Sequence, residues 1–177
     1  GLALADLSMH ALSAKVCEYL LDMDPNCAQT RWNLSVCQFL LGDYEQAFKN
    51  AEARWRLPEA LTSVPSAAAA LMPGDSIAGK SILVFVEQGL GDTLQFSRYL
   101  SLMNYMGARV TAKVQGPLVQ LLTRCMPEVS FVEHIASDQQ FDYQIALLSL
   151  PYYFGTIAST VPVPKRLIQA MHDKVSH

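Results

Sequence analysis

The sequence has no uncharged apolar run near the ~20 residues that cross a bilayer and no Lys/Arg-led apolar leader. It has no basic excess either: thirteen Lys and Arg against sixteen Asp and Glu give a net charge of -3. The first two absences argue against a membrane span and a secretory signal. The third argues against a general nucleic-acid binder, which carries a basic face. Charged residues make up only 16% of the chain against 51% hydrophobic, a balance that excludes a disordered polar segment. The four cysteines, Cys17, Cys27, Cys37 and Cys125, form neither a CxxC pair nor a zinc-ligand spacing. They read as small buried hydrophobes in a reducing, cytoplasmic setting. No Ser/His/Asp triad or metal cluster stands out. What is present is a chain of 177 residues, sized for one domain or two small ones, with enough apolar side chain for a real core.

The first part has helical periodicity. Met9 to Met23 contains neither Gly nor Pro, and Asp24-Pro25-Asn26 ends it because Pro cannot continue the hydrogen-bond ladder. A second helix is expected from Ala28 to Leu41, broken by Gly42-Asp43, and a third from Tyr44 to Arg56 before Pro58. This order resembles the tetratricopeptide repeat, a helical pair of about 34 residues. Leu34, Ser35 and Ala47 fall on its packing positions, and Gly42-Asp43-Tyr44 on its turn. Arg31 stands where the repeat has an aromatic residue, and Arg54 where it has a small one. About one and a half repeats fit before Pro58, so the reading expects either upstream repeats or packing of this pair on the second half.

From Leu57 to Gly79 the composition shifts to Pro, Ser, Ala and Gly, which reads as a linker with a short helical turn over Ala67 to Leu71. Beyond it the pattern alternates. Strands are expected at Ile82 to Val86, Val110 to Val114, Phe131 to Ile135 and Tyr143 to Leu148, with helices at Thr93 to Met106 and Leu118 to Met126. Strands apolar on both faces, alternating with helices, predict a parallel sheet covered by helices. Phe96, Tyr99, Leu100, Met103 and Met106 supply one buried helical stripe.

Gly74 to Ser81 spells GDSIAGKS and satisfies the phosphate-loop pattern GxxxxGK[ST]. That loop needs a strand before it and a helix after it; here the strand follows, so Lys80 is not expected to hold a nucleotide phosphate. Glu87-Gln88-Gly89-Leu90-Gly91-Asp92-Thr93 does have strand-loop-helix context. It falls at the carboxyl edge of the sheet, where ligands of open α/β folds bind. Its glycines permit a tight turn and a close approach by a ligand, and Asp92 or Thr93 can cap the following helix. The third glycine of a dinucleotide fingerprint is replaced by Leu94, and no acid follows at the second strand, where Lys113, Val114 and Gln115 stand. Asp92 is open to two roles, a helix cap or a general base at the mouth of a cleft. Glu87 reads equally as a structural partner for loop amides, and His134 as a surface or edge histidine.

The run SILVFVEQGLGDTLQFSRYL carries a wider likeness. With Gly42-Asp43-Tyr44-Glu45, Arg54-Trp55-Arg56-Leu57-Pro58, Gly79-Lys80, Gly107 to Val110, Gln115 to Leu118, Ser149-Leu150-Pro151 and Phe154-Gly155-Thr156, it resembles a family of bacterial tetratricopeptide-repeat proteins. Their C-terminal part is a glycosyltransferase of the heptosyltransferase type. The resemblance implies an α/β chain: a short helical repeat segment over 1–58, a linker over 59–80 and a Rossmann-like acceptor-side half of a GT-B fold over 81–164. Residues 165–177 would begin the interdomain linker or a tail, since Val163-Pro164-Lys165-Arg166-Leu167 stands where the family has Val-Pro-Tyr-Leu. It also implies Asp92 as the catalytic base, with Gln88, Gly89, Leu90, Gly91 and Thr93 around the acceptor. No cofactor or metal is implied. A nucleotide-sugar donor would bind the opposite half of a GT-B enzyme, so this chain alone is expected to be inactive. The helical repeats are expected to offer a surface to a protein partner, the acceptor being a sugar or a protein. The alternative is a non-enzymatic interaction module built on a degenerate half-domain.

Overall fold

The computed structural model describes residues 9–57, 68–87 and 89–163. The chain forms two compact units, one of Gly1–Ser63 with Pro151–Val161, the other of Val64–Leu150 with Pro162–His177. Among the described residues no helix is long and apolar enough to cross a membrane.

The described residues 9–57 of the first unit contain three α-helices, α1 (His10–Met23), α2 (Ala28–Leu41) and α3 (Tyr44–Ala51). The ladder of α1 ends at Asp24, whose carboxylate accepts the Asn26 N–H at 3.1 Å and turns the chain around Pro25. α2 ends at Gly42, which takes φ +82°, a left-handed conformation that costs glycine nothing. The Asp43 N–H then reaches back to the Gln38 carbonyl at 2.9 Å, and the Asp43 side chain caps α3 through the Gln46 N–H. Ala14, Cys17, Leu34 and Cys37 form the contact between α1 and α2. The small volumes of Ala14, Cys17 and Cys37 allow close packing, and the Cys37 thiol donates to Ser13 Oγ at 3.2 Å.

The expected third helix tightens into a 3-10 turn over Glu52–Arg56. Arg54, standing where a small residue is usual, is buried but paired with Glu52 at 2.6 Å and lies over the Trp55 ring, 4.6 Å from its centroid. Arg31 donates to the Pro25 carbonyl at 2.8 Å and to Asn50 Oδ1 at 3.3 Å. Asn50 in turn donates to Gln38 Oε1 at 2.8 Å. Both arginines therefore have partners that offset the cost of removing their charge from water.

The second unit is a five-stranded parallel sheet, the α/β class expected. Its strands are β1 (Ala69–Ala70), β2 (Ser81–Phe85), β3 (Arg109–Lys113), β4 (Ser130–Val132) and β5 (Tyr143–Ala146), in the order β1-β5-β2-β3-β4. Three helices accompany them, α4 (Leu90–Phe96), α5 (Arg98–Tyr105) and α6 (Gly116–Cys125). A four-residue helix, α7 (Leu150–Tyr153), follows the sheet.

The register puts Ile82, Val84, Val110, Ala112, Phe131 and Ile145 on one face, all buried. On the other face Leu83, Phe85, Gln144 and Ala146 are buried over the central strands. Arg109 is exposed there, and Thr111 and Lys113 are half-buried. β3, between β2 and the edge strand β4, thus alternates rather than being apolar on both sides.

Three expectations are corrected. The expected helical turn over Ala67 to Leu71 is, in its described part (68–71), instead the edge strand β1: Ala69 and Ala70 pair with Tyr143 and Gln144, and the Leu71 N–H donates to the Gln144 carbonyl at 2.8 Å. Alanine favours helix locally, but this pairing spans more than seventy residues and overrides the preference. Leu71 and Ile77 are buried, so the described part of the 59–80 linker (68–80) contributes to the core; 59–67 lies outside the described residues. The single helix over Thr93 to Met106 is two, starting at Leu90 and divided at Ser97. The Ser97 hydroxyl donates to the Leu94 carbonyl at 2.9 Å and Arg98 Nε to the Gln95 carbonyl at 2.7 Å, side-chain bonds that compete with the helical ladder. Finally, the strands expected to reach Ile135 and Leu148 stop at Val132 and Ala146, the latter passing into a 3-10 turn over Leu147–Ser149. The 165–177 tail lies outside the described residues.

Candidate functional site

β2 has β3 on one side and β5 on the other. The chain runs outward from β2 through β3 to β4, then returns across β2 to β5. The carboxyl ends of β2 and β5 therefore lie side by side, at the edge where ligands of open parallel sheets bind. The segment 86–93 leaves β2 there, and α4 packs against the turn Leu147–Ser149 that follows β5.

Within that segment Gly89 is the N-cap of α4, and Asp92 is the third helical residue. Asp92 Oδ2 accepts the Gly89 N–H at 3.1 Å, the acidic half of a capping box. Thr93 does not cap: its hydroxyl, fully buried, lies 3.2 Å from the Gly89 carbonyl and 2.9 Å from Gln115 Oε1. Gln115 is the N-cap of α6, so this bond ties the loop after β2 to the loop after β3. Asp92 is half-buried, while Leu90 and Gly91 are exposed.

The glycines do not adopt the left-handed conformation of a tight turn. Gly89 has φ -71° and Gly91 lies in the first turn of α4, conformations any residue adopts. A Cβ on Gly91 would meet nothing within 4 Å, and one on Gly89 would meet only Asp92 Oδ2 at 3.6 Å. Neither glycine is required by the backbone or by packing, and both are exposed.

The other candidates separate. Gln88 lies outside the described residues. Glu87 is half-buried. His134 is exposed, and the neighbouring Glu133 carboxylate lies against Gly116 at the start of α6, where a Cβ would come within 2.8 Å of it. Among the described residues no group of three or more His, Cys, Asp or Glu could hold a metal ion. Lys80 sits at the opposite, amino-terminal edge of the sheet. Its ammonium is 3.5 Å from Asp142 Oδ1, and Asp142 Oδ2 accepts both the N–H and the hydroxyl of Ser81 at 2.8 Å. The lysine and serine of the phosphate-loop pattern are thus engaged in clamping β2 to the start of β5. Those bonds, with the nearby Lys80 charge, hold the Asp142 carboxyl below its ordinary range.

Sequence reasoning missed Gln115 as part of the site. It was visible only as the residue opening the helix after β3, and its contact with Thr93 joins positions 22 residues apart. No family model, curated protein or solved structure matches the chain. The class that the geometry defines is a parallel α/β unit with a glycine-containing, acidic loop at the carboxyl edge of its sheet, accompanied by a helical unit.

Proposed function

We propose that this chain is the acceptor-side part of a sugar transferase, in which Asp92 takes the proton from an acceptor hydroxyl at the carboxyl edge of β2. The observation that carries the reading is the location of the 86–93 loop at the carboxyl edge of the sheet, with a half-buried carboxylate held there and main chain left uncovered at Gly91. A general base must reach the hydroxyl it deprotonates while being held in place. The Gly89 N–H holds one oxygen of Asp92 and leaves the carboxylate able to accept a second bond, since an ionised carboxylate has about four lone-pair sites. The buried Thr93–Gln115 bond holds the base of the loop. A nucleotide-sugar donor needs a further domain with groups for the leaving diphosphate, so the 177-residue chain by itself is expected to bind acceptor without transferring sugar.

The test is paired. Candidate hydroxyl acceptors are titrated onto the 177-residue chain with amide shifts as the readout, and transfer is assayed in a longer form that includes a donor-binding domain. Shifts centred on Leu90 to Thr93, and a transfer rate that falls in Asp92→Asn, support the reading. Robust transfer by the 177-residue chain, or an unchanged rate in that variant, overturns it.

A further inference from the structure

α1 has two apolar faces, and among the described residues only one packs into the core of its unit. Ala14 and Cys17, with Leu21 beside them, pack against α2. Nearly on the opposite side of the helix, about 150° round at 100° per residue, Met9 (its N-cap), Leu12, Val16, Tyr19 and Met23 recur at alternating steps of three and four. That spacing is a heptad seam, every second member of which sits seven residues on. Tyr19 and Met23 are 65% and 70% exposed; Met9, Leu12 and the adjoining Leu20 are exposed as well, and Val16 is half-buried. A helix apolar on both sides is one that is covered on both sides.

The charges beside the seam indicate what covers it. Lys15 and Asp22 are seven residues apart, on the same flank, with opposite signs; the other flank carries Leu20. If a second copy packs antiparallel about a two-fold axis, Leu12 meets Met23 of the second copy and Val16 meets its Tyr19. The same flank of each helix then lies side by side, and Lys15 falls beside Asp22 of the second copy, twice by symmetry. In a parallel pair Lys15 would instead lie beside Leu20 of the second copy, an ammonium set against a methyl group.

We infer that the exposed α1 seam is a self-complementary surface on which a second copy of this chain docks antiparallel, apolar residues inside and Lys15 paired with Asp22 on the rim. The helix is already ordered within its own unit, so docking does not bear the cost of folding it. The seam is short, about 21 Å for fourteen residues, which makes the association weak and dependent on concentration. The inference stands independently of the sugar-transfer reading, because none of its residues belongs to the sheet unit.

The experiment is sedimentation velocity of the full 177-residue chain from about 10 to about 500 μM, where a weak dimer is populated by mass action. A reversible monomer–dimer equilibrium is expected. Leu12→Glu should leave only monomer, with unchanged helical circular dichroism, because the side chain it replaces is exposed. Lys15→Asp and Asp22→Lys should each weaken self-association by roughly tenfold, since two rim attractions become repulsions. Mixed in equal amounts, these two variants should recover the wild-type dimer as a heterodimer, because each then presents the charge the other lacks. A wild-type chain that stays monomeric throughout overturns the inference. So does a dimer indifferent to the charge reversals, or one that the mixture fails to restore.

Discussion

The Asp92 carboxylate accepts the backbone N–H of Gly89, three residues earlier, at 3.1 Å. This bond gives the candidate base a structural role of its own. A substitution that removes the carboxylate therefore changes two properties at once, and they have to be measured separately.

Asp92→Asn keeps an oxygen that can accept the Gly89 N–H. Its melting temperature should stay within a few degrees of wild type, the loss being that of a charge near a helix N-terminus, about 0.3–1 kcal/mol. Asp92→Ala removes the acceptor too and should cost about 1 kcal/mol or more. In a longer, active form, both should lower transfer by ~10²–10⁴-fold. A rate loss in Asp92→Asn without a matching loss of stability separates the base from the cap.

Gly91→Ala should stabilise the chain. Its Cβ enters open space in a helical conformation, and limiting the unfolded chain is worth about 0.4–1 kcal/mol. If an acceptor approaches the main chain here, the same methyl group should weaken acceptor binding. A higher melting temperature together with weaker binding is the expected pair of results, read by calorimetry and by titration.

Thr93→Val keeps the shape and removes the hydroxyl that reaches both the Gly89 carbonyl and Gln115 Oε1. The site is fully buried, so leaving its partners without that donor should cost about 1–3 kcal/mol in urea unfolding. Hydrogen exchange should quicken in both the 86–93 loop and the start of α6. Faster exchange in one loop alone would show that the bond does not couple them.

The Asp142 clamp has a defined sign with pH. Its carboxyl is held below the ordinary value of 3.8 by the Ser81 N–H and hydroxyl and by Lys80. A depressed folded value means that the contribution is complete above the unfolded value and disappears as pH falls through the folded one. Asp142→Asn should therefore flatten the acid limb of the stability curve below about pH 4. Lys80→Ala should leave Mg-ATP affinity unchanged, by calorimetric titration. Micromolar binding lost on that substitution would contradict the placement of Lys80 at the amino edge.

The thiols should react in a fixed order. Cys27, at the N-cap of α2, accepts a hydrogen bond from the Thr30 hydroxyl at 3.1 Å, which with the nearby backbone N–H groups lowers its pKa from the ordinary 9.0. Cys17 is buried, and the loss of solvation, reinforced by Cys37, raises its pKa. Iodoacetamide near neutral pH should modify Cys27 well before Cys17, as mass spectrometry of a time course would show. Labelling of Cys17 should track unfolding.

The sequence by itself determined what depends on neighbours along the chain. Helix ends at Met23 and Leu41 follow from Pro25 and Gly42, and the start of each main strand within a residue follows from short β-branched runs. The strand-loop-helix context of Gly89 to Thr93, and the rejection of the GDSIAGKS pattern, follow from element order alone. Tertiary structure decided the rest: that Ala69–Ala70 is a strand, that β5 crosses back beside β2, that Ser81 and Lys80 meet Asp142, and that Thr93 meets Gln115. Each of these joins groups 22 to more than 70 residues apart. Local periodicity reports which face of an element is apolar. Which element lies against that face is decided by burial and hydrogen-bond pairing over the whole fold, and no window of sequence contains it.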